Sequence, residues 1–275
     1  MNNHACHIHW QAHRGGGAHE APDNTMAANI YTWALGGIPE ADIRTTKDGV
    51  LICLHDETPA RTTTAPAAVQ NLPISHFSFS EIRAWDAGIK FDKRFAGEKV
   101  PSLYEVFTAM QGNPARHIYL DLKSVDLAQL GAVIDQYQVN QQVIFAHSSQ
   151  ARCKEMKRVC PDVRTMLWIG GRTDEIKQTF SAALQSGFSG LDQVQIHLNQ
   201  SQEAQSAWPY EIDNSFLQHA LAATRAVDID LEVFPFTFDE AVIHALLALD
   251  IRWFATDEPT RFLQCIDSWS GIKRG

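Results

Sequence analysis

The sequence of 275 residues contains no apolar run of the length that a membrane-spanning helix needs, and its first residues, Met1 to Trp10, include no apolar stretch of signal-peptide length. Basic residues are also scarce, since 23 Lys and Arg stand against 32 Asp and Glu and the net charge is −9. Nucleic-acid-binding proteins normally carry a basic patch or stripe. We therefore expect a protein that neither inserts stably into a membrane nor binds nucleic acid.

Two common sequence signatures are absent as well. The five cysteines are odd in number and none are spaced as CxxC, which argues against a disulfide framework and favours the reduced environment of the cytoplasm. No GxGxxG segment follows a predicted strand, which argues against a dinucleotide-binding fold.

The pattern that is present is an alternation of short apolar runs with segments of helical periodicity. Strands are predicted at 8–13, 40–45, 118–122, 143–147, 164–169, 192–196, 230–235 and 252–256, with a further apolar run at 50–55. Helices are predicted at 25–35, 103–111, 126–137, 149–159, 173–186, 214–226, 238–249 and 259–269, with a short one at 80–86.

Such alternation predicts an α/β fold with a parallel sheet whose outer face is covered by helices. Eight units in a chain of this length predict a (β/α)8 TIM barrel, and an open doubly wound sheet is the alternative. The stretch 56–100 lacks clear periodicity, and we interpret it as a small insertion after the second strand region of a single 1–275 domain.

Helix starts are marked by capping residues. Asp23-Asn24 is placed to cap the helix at 25–35, because Asp and Asn side chains accept hydrogen bonds from first-turn N–H groups. Ser102 with Glu105, and Thr237 with Glu240, have the spacing of capping boxes.

Polar residues lie at or near the carboxyl-terminal ends of the predicted strands, which is where barrels of this type carry their functional sites. Glu40 and Asp42 are two residues apart on a strand and therefore point to one face. Two neighbouring carboxylates repel each other unless a cation or a proton intervenes, and Mg²⁺ and Ca²⁺ prefer oxygen ligands. A solvated pair at a strand end is the alternative.

A turn after this strand predicts which residue lies beside the carboxylates. Asp48-Gly49 is a favoured two-residue hairpin loop, so Lys47 would pair with Val50. In that register Asp42 lies directly opposite His55 and shares its face. The hairpin therefore predicts a histidine next to the acidic pair.

Two further strand ends carry residues suited to phosphate chemistry. His13 is followed by Arg14 and three glycines, which allow close backbone approach to an anion, while the guanidinium can bind phosphate. Asp121 and Lys123 end the strand at 118–122 and face one way, so the acid can be a third metal ligand and the lysine can bind a phosphate oxygen. The alternative for that pair is a simple salt bridge.

Other strand-end residues are candidates for lining a pocket, although each is also typical of structural hydrogen bonding or packing. They are His147, Trp168, His197, Phe234 and Phe236.

Short motifs occur in a fixed order along the chain. They are HRGGG (13–17), APDNT (21–25), EAD (40–42), TKDGV (46–50), HDETPARTT (55–63), VPSLYEVF (100–107), YLDLKS (119–124) and ATDEP (255–259). From about residue 9 to 263 the series resembles that of the glycerophosphodiester phosphodiesterases. The first half is specific because order and spacing both agree, and the second half depends mainly on ATDEP.

The resemblance implies a phosphatidylinositol phospholipase C-like (β/α)8 barrel that hydrolyses glycerophosphodiesters to sn-glycerol 3-phosphate and an alcohol. It implies that His13 and His55 are the general acid and base. The same resemblance implies one Mg²⁺ or Ca²⁺ bound by three acids, with two basic residues contacting the phosphate. The acids are Glu40, Asp42 and Asp121, and the basic residues are Arg14 and Lys123.

The chain departs from the family pattern at three places. It has Asp23 where PENT is usual, Asp121 where Glu is frequent, and Phe234-Pro235-Phe236-Thr237 where a Trp-Thr-Val-Asn type segment is common. A lysophospholipid or a sugar phosphodiester therefore remains an alternative substrate for the same machinery. A catalytically silent barrel that binds phosphorylated ligands is the alternative from a different class.

Overall fold

A computed structural model describes residues 7–201 and 208–269. The strands are β1 His9–Ala12, β2 Ile38–Thr45, β3 Leu51–Cys53, β4 Ile118–Ser124, β5 Val143–His147, β6 Arg164–Ile169, β7 Gln193–Leu198, β8 Asp230–Pro235 and β9 Trp253–Thr256. The helices are α1 Gly17–Glu20, α2 Met26–Ala34, α3 Phe79–Arg83, α4 Leu103–Met110, α5 Leu127–Tyr137, α6 Gln150–Val159, α7 Thr173–Gln185, α8 Asn214–Arg225, α9 Glu240–Ala248 and α10 Pro259–Asp267.

The sheet closes on itself. Eight parallel strands follow the order β1-β2-β4-β5-β6-β7-β8-β9, and β9 pairs with β1 again. The remaining strand, β3, lies outside this ring and pairs antiparallel with β2. Because the helices between strands cover the outside, the fold is the predicted (β/α)8 barrel, and the open-sheet alternative is wrong.

The main apolar core lies between the strands and the surrounding helices and includes Phe107, Phe145 and Phe254. Residues between β3 and α4 form an excursion with a separate apolar cluster that contains Ile74, Trp85 and other buried side chains. None of the helices in the described part of the chain has the length and hydrophobicity that a bilayer span requires.

The hairpin after β2 differs from the prediction by one residue. Ile43 pairs with Cys53, and the N–H of Leu54, not a group of His55, bonds to the carbonyl of Asp42. The loop has three residues because Gly49, at φ 80°, occupies its last position. The predicted pairing of Asp42 with His55 is therefore wrong.

One of the three predicted capping arrangements is present. Ser102 and Glu105 form the predicted capping box of α4. Helix α2 is capped by Thr25 instead of Asp23-Asn24. Helix α9 is capped by Asp239, whose carboxylate accepts a hydrogen bond from the backbone N–H of Val242 in the first turn. Asp239 directly precedes the helix, and it takes the place of the capping box that was predicted for Thr237 and Glu240.

Candidate active site

Three carboxylates converge at the mouth of the barrel. Glu40 and Asp42 project from β2 to the same side, and Asp121 is the direct neighbour of Asp42 on β4. Each acid offers an oxygen, and these oxygens all lie within 4.8 Å of one another. The i, i+2 spacing and the strand register thus build a group that can bind a metal ion.

One basic side chain, Lys123, lies among the three acids. Lys123 Nζ lies 3.0 Å from Asp42 and 2.8 Å from Asp121. Burial, together with the two neighbouring acids, raises the pKa of Glu40 well above its usual value. Burial also raises the pKa of Asp121, although Lys123 opposes this shift. A bound cation would offset the repulsion between these acids.

His13 lies level with Glu40, because β1 runs parallel to the start of β2 with Ala12 aligned with Pro39. Its Nδ1 is 2.8 Å from the carboxylate of Asp257. An ionised carboxylate accepts a hydrogen bond, so we assign the proton to Nδ1, which leaves Nε2 for proton transfer. Asp257 belongs to the ATDEP motif, and only the fold brings it to His13.

His55, which follows β3, has the same arrangement. Its Nδ1 is 2.8 Å from Asp56, whose pKa falls to about 2, chiefly because Arg61 binds this carboxylate. Arg44 donates to the backbone carbonyl of His55 and holds the chain at that point. Both histidines predicted from the sequence are therefore oriented by an aspartate.

Arg14 occupies the left-handed region, at φ 55°, and its backbone N–H donates to Glu40. Its guanidinium donates to Asp23. The buried Nε of Arg14 has no hydrogen-bond partner among the residues that the structure describes. Asn24 hydrogen-bonds both the side chain and the backbone N–H of Asp42, so the segment predicted as a helix cap instead supports the acidic cluster.

A cavity of about 230 Å³ opens beside the carboxylates. Nine of the predicted site residues line it: His13, Glu40, Asp42, Asp121, Lys123, Trp168, His197, Phe234 and Phe236. Arg14, His55 and His147 do not line this cavity. His147 accepts a hydrogen bond from the N–H of Ser149 and lies over Phe145.

One wall of the cavity is aromatic. Trp168 stacks on His197 with ring centroids 5.6 Å apart, and Phe234 and Phe236 meet His197 edge-on. Burial, and to a lesser extent the charge of His13, lowers the pKa of His197 to about 4. This imidazole is therefore neutral at pH 7 and contributes an uncharged ring to the wall.

The floor of the cavity is polar, which the apolar strand pattern did not predict. Glu232 is fully buried and accepts hydrogen bonds from Gln11, Tyr119, Gln193 and Gln195. Burial raises its pKa to about 7. Glu232 stands inside β8 rather than at its functional end, so it supports the floor without lining the cavity.

The fold and the site together define a (β/α)8-barrel protein with an acidic, metal-capable centre and two aspartate-paired histidines, one after β1 and one after β3. The profile of the Glycerophosphoryl diester phosphodiesterase family matches residues 13–261. The match includes most of the chain and every residue of the centre, and the chain belongs to this family.

Individual relatives agree with this assignment. The chain is 35% identical over 161 residues to a glycerophosphodiester phosphodiesterase of Caldanaerobacter subterraneus, and this match covers 56% of the chain and 63% of the relative. The chain thus spans less than two thirds of that relative's length. A crystal structure of a glycerophosphodiester phosphodiesterase from Agrobacterium tumefaciens superposes with a TM-score of 0.73 at 25% identity, covering 94% of this chain and 99% of that one.

An Oleispira antarctica phosphodiesterase has the same fold, with a TM-score of 0.69 at 18% identity, covering 94% of this chain and 97% of that one. Its structure is a complex with the product sn-glycerol-3-phosphate.

Proposed function

We propose that the protein hydrolyses glycerophosphodiesters to sn-glycerol 3-phosphate and an alcohol, with the help of a divalent cation. The observation that carries this proposal is the pair of aspartate-bound histidines, His13 and His55, which follow β1 and β3, the two strands that pair with β2 and its acids. Family membership supports the proposal, and so does the product bound to the Oleispira protein.

Glu40, Asp42 and Asp121 are the residues that would hold the cation. Their oxygens suit Mg²⁺ or Ca²⁺, and Lys123 offsets part of their charge. When bound, such an ion supplies positive charge next to the phosphate oxygens. Arg14 would place positive charge next to the phosphate, because a phosphate oxygen could accept a hydrogen bond from its Nε.

The two histidines act as general acid and general base. With Nδ1 bound to aspartate, Nε2 of one ring takes a proton from the nucleophile and Nε2 of the other gives a proton to the leaving alkoxide. Lys123 stays protonated throughout, because its two carboxylate partners raise its pKa against the opposing effect of burial. Its ammonium group therefore balances charge and does not act as a base.

The aromatic wall packs against the carbon skeleton of the substrate. A cavity of about 230 Å³ lies below the ~300–1,000 Å³ usual for drug-sized ligands, so it suits a small deacylated group. The rings of Trp168, Phe234 and Phe236 would exclude water from that group.

The test is hydrolysis of glycerophosphocholine with Mg²⁺ or Ca²⁺ and with EDTA. We expect EDTA to abolish activity, and His13→Ala and His55→Ala to lower kcat by at least about 100-fold. His76→Ala is the matched control, because His76 is exposed on the excursion. Asp42→Asn should weaken the thermal shift that the metal ion produces in the absence of substrate.

Full activity in either histidine variant would remove that residue from the mechanism. Faster turnover of lysophosphatidylcholine or of a sugar phosphodiester than of glycerophosphocholine would make that compound the assigned substrate. Binding of sn-glycerol 3-phosphate without turnover of any diester would favour the silent barrel.

A further inference from the structure

Arg61 belongs to the HDETPARTT segment and lies outside the cavity, yet it binds two acids that come from different loops. Its Nε and one terminal nitrogen donate to Asp56 at 2.7 and 3.0 Å. Its other terminal nitrogen donates to Asp23 at 2.7 Å. One guanidinium thus joins the loop after β3 to the loop before α2.

Each of the two acids also binds a residue of the proposed machinery. Asp56 Oδ1 is 2.8 Å from His55 Nδ1, and Asp23 Oδ2 is 3.1 Å from the guanidinium of Arg14. A continuous chain of charged contacts therefore runs from His55 through Arg61 to Arg14.

The geometry of the central contact explains what a guanidinium contributes there. Two parallel N–H···O bonds fix the plane of the Asp56 carboxylate, which a single ammonium group cannot do. The position of that carboxylate sets the direction of the imidazole of His55, because the other fixed point, the bond from Arg44, reaches only the backbone carbonyl. Without Arg61, Asp56 would keep its contact with His55, which by itself leaves the carboxylate free to rotate.

We propose that Arg61 is a positioning residue that holds His55 in its reactive orientation through Asp56. Asp23, which binds both Arg61 and Arg14, fixes the position of Arg61 relative to Arg14. This inference depends on the proposed function, because it assigns His55 a part in proton transfer. The pair Asp23–Arg61 also gives a role to the acid that departs from the family's usual PENT segment.

The exposure of the Arg61 side chain distinguishes a positioning role from a contribution to folding stability. The Arg61 side chain is 45% exposed, and ion pairs at such exposure add little to folding stability. Loss of Arg61 should therefore change kcat far more than the melting temperature.

The experiment is a double-mutant cycle between Arg61→Gln and Asp56→Asn on glycerophosphocholine. We expect Arg61→Gln alone to lower kcat about 10- to 100-fold with KM within about twofold, and to cost less than about twofold when Asp56 is already Asn. Arg61→Lys should recover only part of kcat. Arg94→Gln is the control, because Arg94 is exposed on the same excursion and its side chain donates to the carbonyl of Glu20 and lies over the ring of Phe95, away from the proposed machinery.

Wild-type kcat in Arg61→Gln would overturn the proposal, and so would an equal loss in both backgrounds, since Arg61 would then not act through Asp56. If Arg61→Gln does not fold, the same cycle is run with Arg61→Lys. A wild-type protein that turns over no glycerophosphodiester overturns the proposed function and this proposal together, which is a different result from an active wild type with an unaffected variant.

Discussion

The buried carboxylate of Glu232 makes the stability of the barrel depend on pH in a calculable way. Burial raises its pKa from 4.5 to about 7, so the folded state binds the proton more tightly than the unfolded chain. The resulting stabilisation is complete below pH 4.5 and is lost as the pH rises through 7. The shift corresponds to about 3 kcal/mol, most of which falls between pH 5 and pH 8.

Urea unfolding of the wild type and of Glu232→Gln at pH 5 and pH 8, with EDTA present, measures this contribution. We expect the free energy of unfolding of the wild type to fall by about 2 to 3 kcal/mol more than that of the variant over this interval. Glu40 and Asp121, whose pKa values are also raised, are present in both proteins and cancel in the comparison. Equal pH dependence in the two proteins would refute the reasoning, whatever the absolute stability of the variant.

Further predictions concern the supports of the site. Asp257→Asn should lower kcat at least about 100-fold with little change in KM, because an uncharged amide no longer stabilises the imidazolium of His13 and can donate to Nδ1, which favours the wrong tautomer; steady-state kinetics with unchanged activity would contradict this. Gly17→Ala should destabilise the protein more than Gly49→Ala, since both have positive φ but only at Gly17 would a Cβ lie 2.4 Å from the carbonyl oxygen of Asp257; urea unfolding compares them, and equal losses would show that this contact relaxes. Ser102→Ala should cost about 1 kcal/mol by the loss of its capping box, and a thermal melt indistinguishable from the wild type would argue against that cap.

Much of the architecture could be predicted from local patterns. Apolar runs of strand length and helical periodicity identified every strand of the ring to within a few residues, because burial on both faces leaves the same signature in each parallel strand. The i, i+2 spacing also predicted that Glu40 and Asp42 share a face. It likewise predicted that Asp121 and Lys123 face one way, and the salt bridge named as the alternative for that pair is present. These are properties of one extended segment, so they need no knowledge of distant parts of the chain.

Local patterns failed where a hydrogen bond decided between similar alternatives. A loop of three residues rather than two changed the register of the hairpin, since Asp-Gly is compatible with both. Likewise, Thr25 and Asp239 cap helices for which a neighbouring polar residue was an equally suitable candidate by sequence.

The sequence by itself determined the barrel, the acidic pair on β2 and the presence of a histidine in each of two family motifs. Only the tertiary structure decided which residues complete them: Asp257 beside His13, Arg61 between Asp56 and Asp23, and Glu232 beneath the cavity. Partners 244 residues apart, such as His13 and Asp257, leave no periodic signal, because their contact arises from closure of the barrel where β9 meets β1.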